Sequence, residues 1–148
     1  MTFLVVLHNL TRWVVVIAGV LAAAKAILGL LNKQSWTPLD NRLGLIFTIS
    51  FDIQVLLGLI LYVAGPTMQS VWGDFGGAMS ESGLRFFAVE HIFIMILSLG
   101  LAHMGRSLAK KATSDGKKHQ RAAIFFTLSL LLLLAGIPWG SRPLFRFS

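Results

Sequence analysis

Several polar side chains stand inside otherwise apolar stretches of this 148-residue chain. They are His8, Arg12, Asp52, Gln54, Glu90 and His91. Neutral imidazoles are ligands of haem iron, and imidazoles and carboxylates exchange protons and hydrogen bonds with polar head groups such as a quinone. A charge in hydrocarbon costs about 2.5–3.5 kcal/mol on insertion scales, so such side chains pair with one another or line a site. We therefore expect these residues to carry the chemistry of the protein.

Long apolar stretches must position these side chains. Hydrophobic residues make up 55% of the chain and charged residues only 13%, well below the share of roughly 25% that is usual in soluble domains. A helix of roughly 20 apolar residues crosses a bilayer. The predicted spans cover residues 4–31, 43–64, 86–105 and 122–137. The sequence thus predicts an all-α integral membrane four-helix bundle, a single transmembrane domain over residues 1–148.

The basic residues predict the orientation of these spans. Most of the 13 Lys and Arg residues fall in the first and third connections, and Lys25 can extend toward the same side. The opposite side holds only Arg12, Arg85, Arg142 and Arg146. By the positive-inside rule the basic connections face the cytoplasm of a bacterial inner membrane, and both termini lie on the outer (periplasmic) side. The net charge of +7 then reflects topology and anionic lipid, and we expect no nucleic-acid partner.

Two helical seams are predicted to face the interior. Residues spaced four and three apart are His8, Arg12, Val15, Gly19, Ala22, Ala26 and Gly29 in the first span, and Ala88, His91, Met95, Ser98, Ala102 and Gly105 in the third. Small residues let membrane helices approach closely. In a sequentially connected bundle these spans are diagonal neighbours whose seams meet at the axis.

The depth of the polar residues follows from a rise of 1.5 Å per residue, which places His8 about 6 Å and His91 about 9 Å below the outer edge. Asp52 lies roughly mid-membrane on the same scale. The polar residues therefore gather in the outer half of the bundle. We expect Arg12 to pair with Glu90 or Asp52.

Three kinds of chemistry fit this cluster. His8 and His91 are candidate axial ligands of a b-type haem, with Arg12 near a propionate. Alternatively, His91, Glu90 or Asp52 binds a quinone head group. The third possibility is an ion-pair network of Arg12 with the carboxylates that only fixes helix register. No metal site is expected, because adjacent helical residues point about 100° apart, and no catalytic motif is present.

The connection over residues 65–83 is rich in Gly and Ser and carries the apolar residues Met68, Val71, Trp72, Phe75 and Met79. These side chains belong either to an interfacial aromatic belt or to a docking surface for a partner subunit. His103 and His119 lie near basic residues, and we interpret both as interfacial.

The chain resembles small bacterial four-helix membrane proteins described as cytochrome b-like or uncharacterised. The matching pieces are His8-Asn9-Leu10 with Arg12, Asp40-Asn41-Arg42, Leu57-Gly58-Leu59 through Tyr62, Val89-Glu90-His91, Gly105-Arg106, Lys110-Lys111-Ala112-Thr113 and Ile137-Pro138-Trp139. The resemblance implies membrane residence and association with respiratory or photosynthetic electron transfer.

The expected function is that of an accessory subunit of a respiratory or photosynthetic, quinone-linked electron-transfer complex, in contact with membrane lipids and other membrane subunits. It would not be an enzyme by itself. One alternative is a small b-type cytochrome with haem held by His8 and His91. The other is a small ion or proton transporter that uses Asp52.

Overall fold

Long apolar helices make up most of the structure, a computed structural model that describes residues 1–140. Four of them are long and apolar enough to cross a membrane, which indicates a multi-pass membrane protein. They are α1 (Thr2–Leu31), α2 (Pro38–Ala64), α5 (Ser82–Lys111) and α6 (Asp115–Gly136). The labels α3 and α4 belong to two short helices between α2 and α5. The predicted helical class is confirmed, and it includes four long apolar helices that could span a membrane. The arginines Arg142 and Arg146, which entered the topology prediction, lie outside the described residues.

Helices α2 and α6 begin before the predicted apolar stretches because polar caps, rather than hydropathy, determine where they begin. Helix α2 begins with Pro38, and the Asp40 carboxylate accepts a hydrogen bond from the Thr37 backbone N–H at 2.8 Å. Asp40 also accepts from Lys25 Nζ at 2.8 Å, which ties α1 to the start of α2. Such caps satisfy the free N–H groups of a helix start.

The four long helices form a ring in which α1 packs against α2 and α6, and α5 packs against the same two helices. Helices α1 and α5 are therefore the diagonal pair, as the sequence predicts. Their seams face inward: Val15, Ala22 and Ala26 of α1 and Ala102 of α5 are buried in one core. Small residues at these positions allow close packing of the backbones.

A pair of serines joins α5 to α6 in the middle of the bundle. Ser98 Oγ donates to the Ser129 carbonyl oxygen at 2.6 Å, and Ser129 Oγ donates to the Ser98 carbonyl oxygen at 2.7 Å. Both side chains are fully buried. Polar side chains that bond across helices in this way satisfy one another without water.

The connection between α2 and α5 is helical rather than a loop. It forms α3 (Pro66–Gly73) and α4 (Phe75–Ser80). Met68 and Val71 are buried in a small second core, while Trp72 and Phe75 are exposed. The prediction that all the apolar residues of this segment are available to a partner or an interface is wrong for Met68 and Val71, because the short helices fold them inward over the end of the bundle.

The bundle has two ends of different composition. The N-terminal end holds the start of α1, the end of α2, helices α3 and α4, the start of α5 and the end of α6. The basic end holds the other termini of the long helices, with Lys33, Arg42 and Lys110 among its basic residues.

Candidate functional site

A cavity of about 430 Å³ lies among the four long helices at the N-terminal end. Its walls are mostly apolar, and its volume lies within the range of roughly 300–1,000 Å³ that is usual for small-molecule sites. The polar residues that line it include His8, Asn9, Arg12, Gln54, Tyr62 and His91. Four of these, His8, Arg12, Gln54 and His91, are among the residues selected from the sequence, so the fold brings them to one cavity from three helices.

Gln54 of α2 holds His8 of α1 in place. Gln54 Nε2 donates to the His8 carbonyl oxygen at 2.9 Å, and Thr11 Oγ1 donates to Gln54 Oε1. These bonds determine which way the amide faces, so its N–H group also points toward His8 Nε2, 3.4 Å away. His8 Nε2 is therefore the acceptor, and Nδ1 carries the proton. Within residues 1–140, His8 Nδ1 is buried without a hydrogen-bond partner.

His91 of α5 has the opposite assignment. Its Nδ1 lies 2.8 Å from the carbonyl oxygen of Gly136, and a carbonyl only accepts, so Nδ1 donates and Nε2 keeps a lone pair that no other group among residues 1–140 occupies. Just before His91, residues Phe86–Glu90 form a π-helical turn, and the His91 N–H bonds to the Phe86 carbonyl oxygen. Such turns frequently occur at functional sites. The ring is flanked by Phe86 and Phe87, with centroid distances of 5.7 and 5.8 Å.

Arg12 brings a positive charge to the same cavity. The residue is only 7% exposed, and its guanidinium carbon lies 5.4 Å from the centroid of the Trp13 ring. A guanidinium presents several N–H donors in a fixed plane and attracts oxygen atoms that carry negative charge. The cavity therefore favours a ligand with an electron-rich oxygen at this end.

Asp52 and Glu90 do not face the cavity, which corrects the pairing expected for Arg12. Asp52 Oδ1 lies 2.7 Å from His103 Nε2, and Glu90 Oε1 lies 3.3 Å from Arg85 Nε. Residues two apart on a helix point to nearly opposite sides, so Gln54 faces inward and Asp52 outward. A transport path through the bundle would depend on the mid-depth carboxylate of Asp52. That carboxylate faces outward, so it does not line such a path.

His119 is buried at the basic end, and its prediction as an interfacial residue is wrong. Its ring lies 5.0 Å from Trp36 between centroids and occupies the space above Gly29. A Cβ atom at Gly29 would come within 2.3 Å of the His119 ring. The lack of a side chain at Gly29 is what admits the imidazole, and a one-dimensional pattern does not show such a long-range fit.

The selection from the sequence missed two residues of α2 that shape the site. Tyr62 lines the cavity and its hydroxyl donates to the Ala88 carbonyl oxygen at 2.8 Å. Gly58 makes room for His8, since a Cβ atom there would lie 3.2 Å from His8 Cε1. The signal was present as a row at spacing four, Gln54, Gly58 and Tyr62, which marks one face of a helix.

The cavity reaches the outer surface of the bundle between α2 and α5. Leu59 of α2 and Ile96 of α5 both line it, yet they are 40% and 52% exposed. They belong to apolar exposed faces that also carry Val63 and Phe93. A molecule dissolved in the hydrocarbon of a membrane thus has a lateral way into the site.

The residues present fit a haem only in part. Two axial imidazoles must each offer a free lone pair to the iron. His91 Nε2 does so, whereas the Nε2 lone pair of His8 faces the Gln54 amide. No group of three or more potential metal ligands occurs in the part of the chain that the structure describes.

The arrangement is a largely apolar cavity, open to the side, with hydrogen-bond donors from α1 and a free acceptor from α5 at one end. Comparison of the chain with protein-family models, curated proteins and solved structures finds no match.

Proposed function

We propose that this protein is a membrane subunit of a quinone-linked electron-transfer complex, respiratory or photosynthetic, and that its cavity binds the quinone head group. The observation that carries the proposal is the combination of a polar end, formed by His8, Arg12 and His91, with an opening at Leu59 and Ile96. An amphiphilic molecule with a polar ring and an apolar tail matches both features.

The polar groups match the two redox forms of such a head group. A quinone carbonyl accepts hydrogen bonds, which the guanidinium of Arg12 supplies. A quinol hydroxyl donates, and the free Nε2 of His91 accepts. When the quinol gives up two electrons to the partner complex, its two hydroxyl protons must also leave: Nε2 of His91 takes one, and the other passes to solvent at the N-terminal end.

The basic end is proposed to face the cytoplasm of a bacterium and the N-terminal end the periplasm, which places the cavity in the outer half of the membrane. The chain has no Cys, so a single cysteine can report which side of the membrane the basic end faces. We place it at Thr113, directly after the C-cap residue of α5. We expect a membrane-impermeant maleimide to label it only after the cells are opened. Labelling in intact cells would contradict the proposed orientation and place the basic end outside.

The binding proposal is tested with the full chain in lipid nanodiscs prepared without quinone. Titration with decylubiquinone should quench tryptophan fluorescence and saturate. In Gly58→Val, whose new side chain meets His8, we expect at least tenfold weaker binding. Gly76→Val is the matched control, because no atom of residues 1–140 lies within 4 Å of a Cβ there. Non-saturating quenching, or equal affinities for both variants and the wild type, would contradict the proposal.

A b-type haem is the second candidate, and the free Nε2 of His91 is the observation that favours it. It would be held by His91 and, after release from Gln54, by His8, and would supply one-electron transfer. A reduced-minus-oxidised spectrum of the purified protein separates the candidates. An α-band in the wild type that disappears in His91→Ala would show that the cavity binds haem rather than a quinone. Absence of the band in protein produced with ample haem excludes the haem alternative.

A further inference from the structure

A second polar feature lies outside the cavity, on the exposed face between α2 and α5. Asp52 Oδ1 and His103 Nε2 are 2.7 Å apart, and the two side chains are 47% and 46% exposed. Asp52 stands ten residues from Arg42 of the basic end, or about 15 Å along the helix. The pair is therefore exposed at a level where membrane proteins normally bury ionisable groups.

The surroundings of the pair are apolar. Ile49, Ile53 and Leu56 of α2 and Met104 of α5 are all exposed beside it. Gly100, one helical turn before His103, is exposed as well, and a Cβ atom built on it meets no atom of the described residues within 4 Å. A small residue on an outward membrane face allows another helix to approach closely.

The pair also has unused hydrogen-bonding capacity. Within the described residues its one hydrogen bond joins Oδ1 to Nε2, so Asp52 Oδ2 still accepts and the second ring nitrogen of His103 still donates when the ring is charged. One face thus carries both a free acceptor and a free donor. Such a face is complementary to a copy of itself related by a two-fold axis.

We propose that a second copy of this chain docks on this face within the membrane, with Asp52 of each copy bonded to His103 of the other around a contact at Gly100. A different protein would have to bring its own acid and base to satisfy the same groups, whereas the two-fold repeat supplies both. The contact also withdraws the pair from lipid, where exposed charge is costly.

This dimer leaves the opening of the cavity accessible. Leu59 and Ile96 each lie seven residues from the pair toward the N-terminal end, or about 10 Å. Helices that cross at a small residue diverge away from the contact. The inference does not depend on the identity of the ligand in the cavity.

Disulfide cross-linking in native membranes tests the proposal, because the chain contains no Cys. Under a mild oxidant, Gly100→Cys should form a covalent dimer rapidly. Ile17→Cys, on the exposed side of α1, is the control and should remain monomeric. Equal cross-linking of the two variants would overturn the proposal. So would a product of Gly100→Cys with a protein of another mass, since that assigns the face to a different subunit.

Mass measurement of the unmodified chain adds a result that does not depend on a cysteine. Light scattering in nanodiscs large enough for two copies should give a dimer for the wild type. Asp52→Leu combined with His103→Leu should cut the dimer fraction at least tenfold, with helix content unchanged by circular dichroism. If this variant does not fold, Asp52→Asn, which keeps the shape and removes the charge, should still weaken the dimer. A wild-type monomer at all concentrations would overturn the inference.

Discussion

The two ring nitrogens of His91 have separate partners, so three substitutions distinguish their contributions. Nδ1 donates to the Gly136 carbonyl oxygen at 2.8 Å, and Nε2 is the proposed ligand contact. In His91→Phe both nitrogens are lost while a ring remains. An Asn amide reaches only the Nδ1 position, and a Gln amide reaches the Nε2 position.

The expected loss in the free energy of unfolding follows from the position of Gly136. It is the last residue of α6, and its carbonyl oxygen has no partner within the helix. Hydrogen bonds between membrane helices contribute about 0.6 kcal/mol on average and up to about 1.7. Leaving an acceptor unpaired adds to the loss. We expect His91→Phe to lower the free energy of unfolding by about 1–2 kcal/mol, or roughly 5- to 30-fold in the equilibrium constant. His91→Asn should stay within about 0.5 kcal/mol of the wild type, because it keeps the bond.

Two assays on the same preparations complete the test: unfolding in mixed micelles followed by circular dichroism, and decylubiquinone titration in nanodiscs. His91→Asn should retain stability and bind the quinone at least tenfold more weakly. His91→Gln should show the reverse order of effects. If His91→Asn binds as the wild type does, His91 Nε2 is not part of the site. If His91→Phe is as stable as the wild type, the bond to Gly136 contributes nothing and the reasoning about α6 fails.

Two further predictions concern the packing that holds the site. Gly29→Ala places a Cβ atom 2.3 Å from the buried His119 ring, so overpacking should destabilise the protein by about 1–3 kcal/mol in a thermal melt. Gly116→Ala, where a Cβ atom meets nothing within 4 Å in the part of the chain that the structure describes, should be neutral or slightly stabilising, and equal effects of the two substitutions would contradict the steric reasoning. Ser98→Ala and Ser129→Ala should each cost about 0.6–1.7 kcal/mol in the same assay. A double variant no worse than either single one would show that the reciprocal bonds act as a unit.

The inward seams were predictable because a helix has one period. His8, Arg12 and His91 stand at spacings of three and four in line with small residues, and that pattern is enough to place them toward the axis. The same period separates Asp52 from Gln54, but the sequence shows no reason to prefer one of them as the inward residue. The sequence therefore gives the depth of a polar residue along a span far better than it gives the direction in which that residue faces around the helix axis.

Partner choice was not predictable for the charged residues. By a simple ruler Arg12 stands within about 5 Å in depth of both Glu90 and Asp52, yet Glu90 bonds Arg85 and Asp52 bonds His103. The π-helical turn at Phe86–Glu90 changes which residues share a face of the helix. The spacing of residues in the sequence does not predict such a turn. An ion pair depends on distances of a few ångströms in three dimensions, whereas the ruler along the helix measures only one.

The amino-acid sequence by itself determined that the chain forms four long apolar helices, that α1 and α5 turn small and polar residues inward, and that the basic residues concentrate at one end. These properties follow from composition and from the period of a helix, which act locally. Only the tertiary structure decided that His8, Gln54 and His91 share one cavity with a lateral opening, and that Asp52 faces outward with His103. Those outcomes depend on how helices rotate against one another, and packing between distant segments sets that rotation.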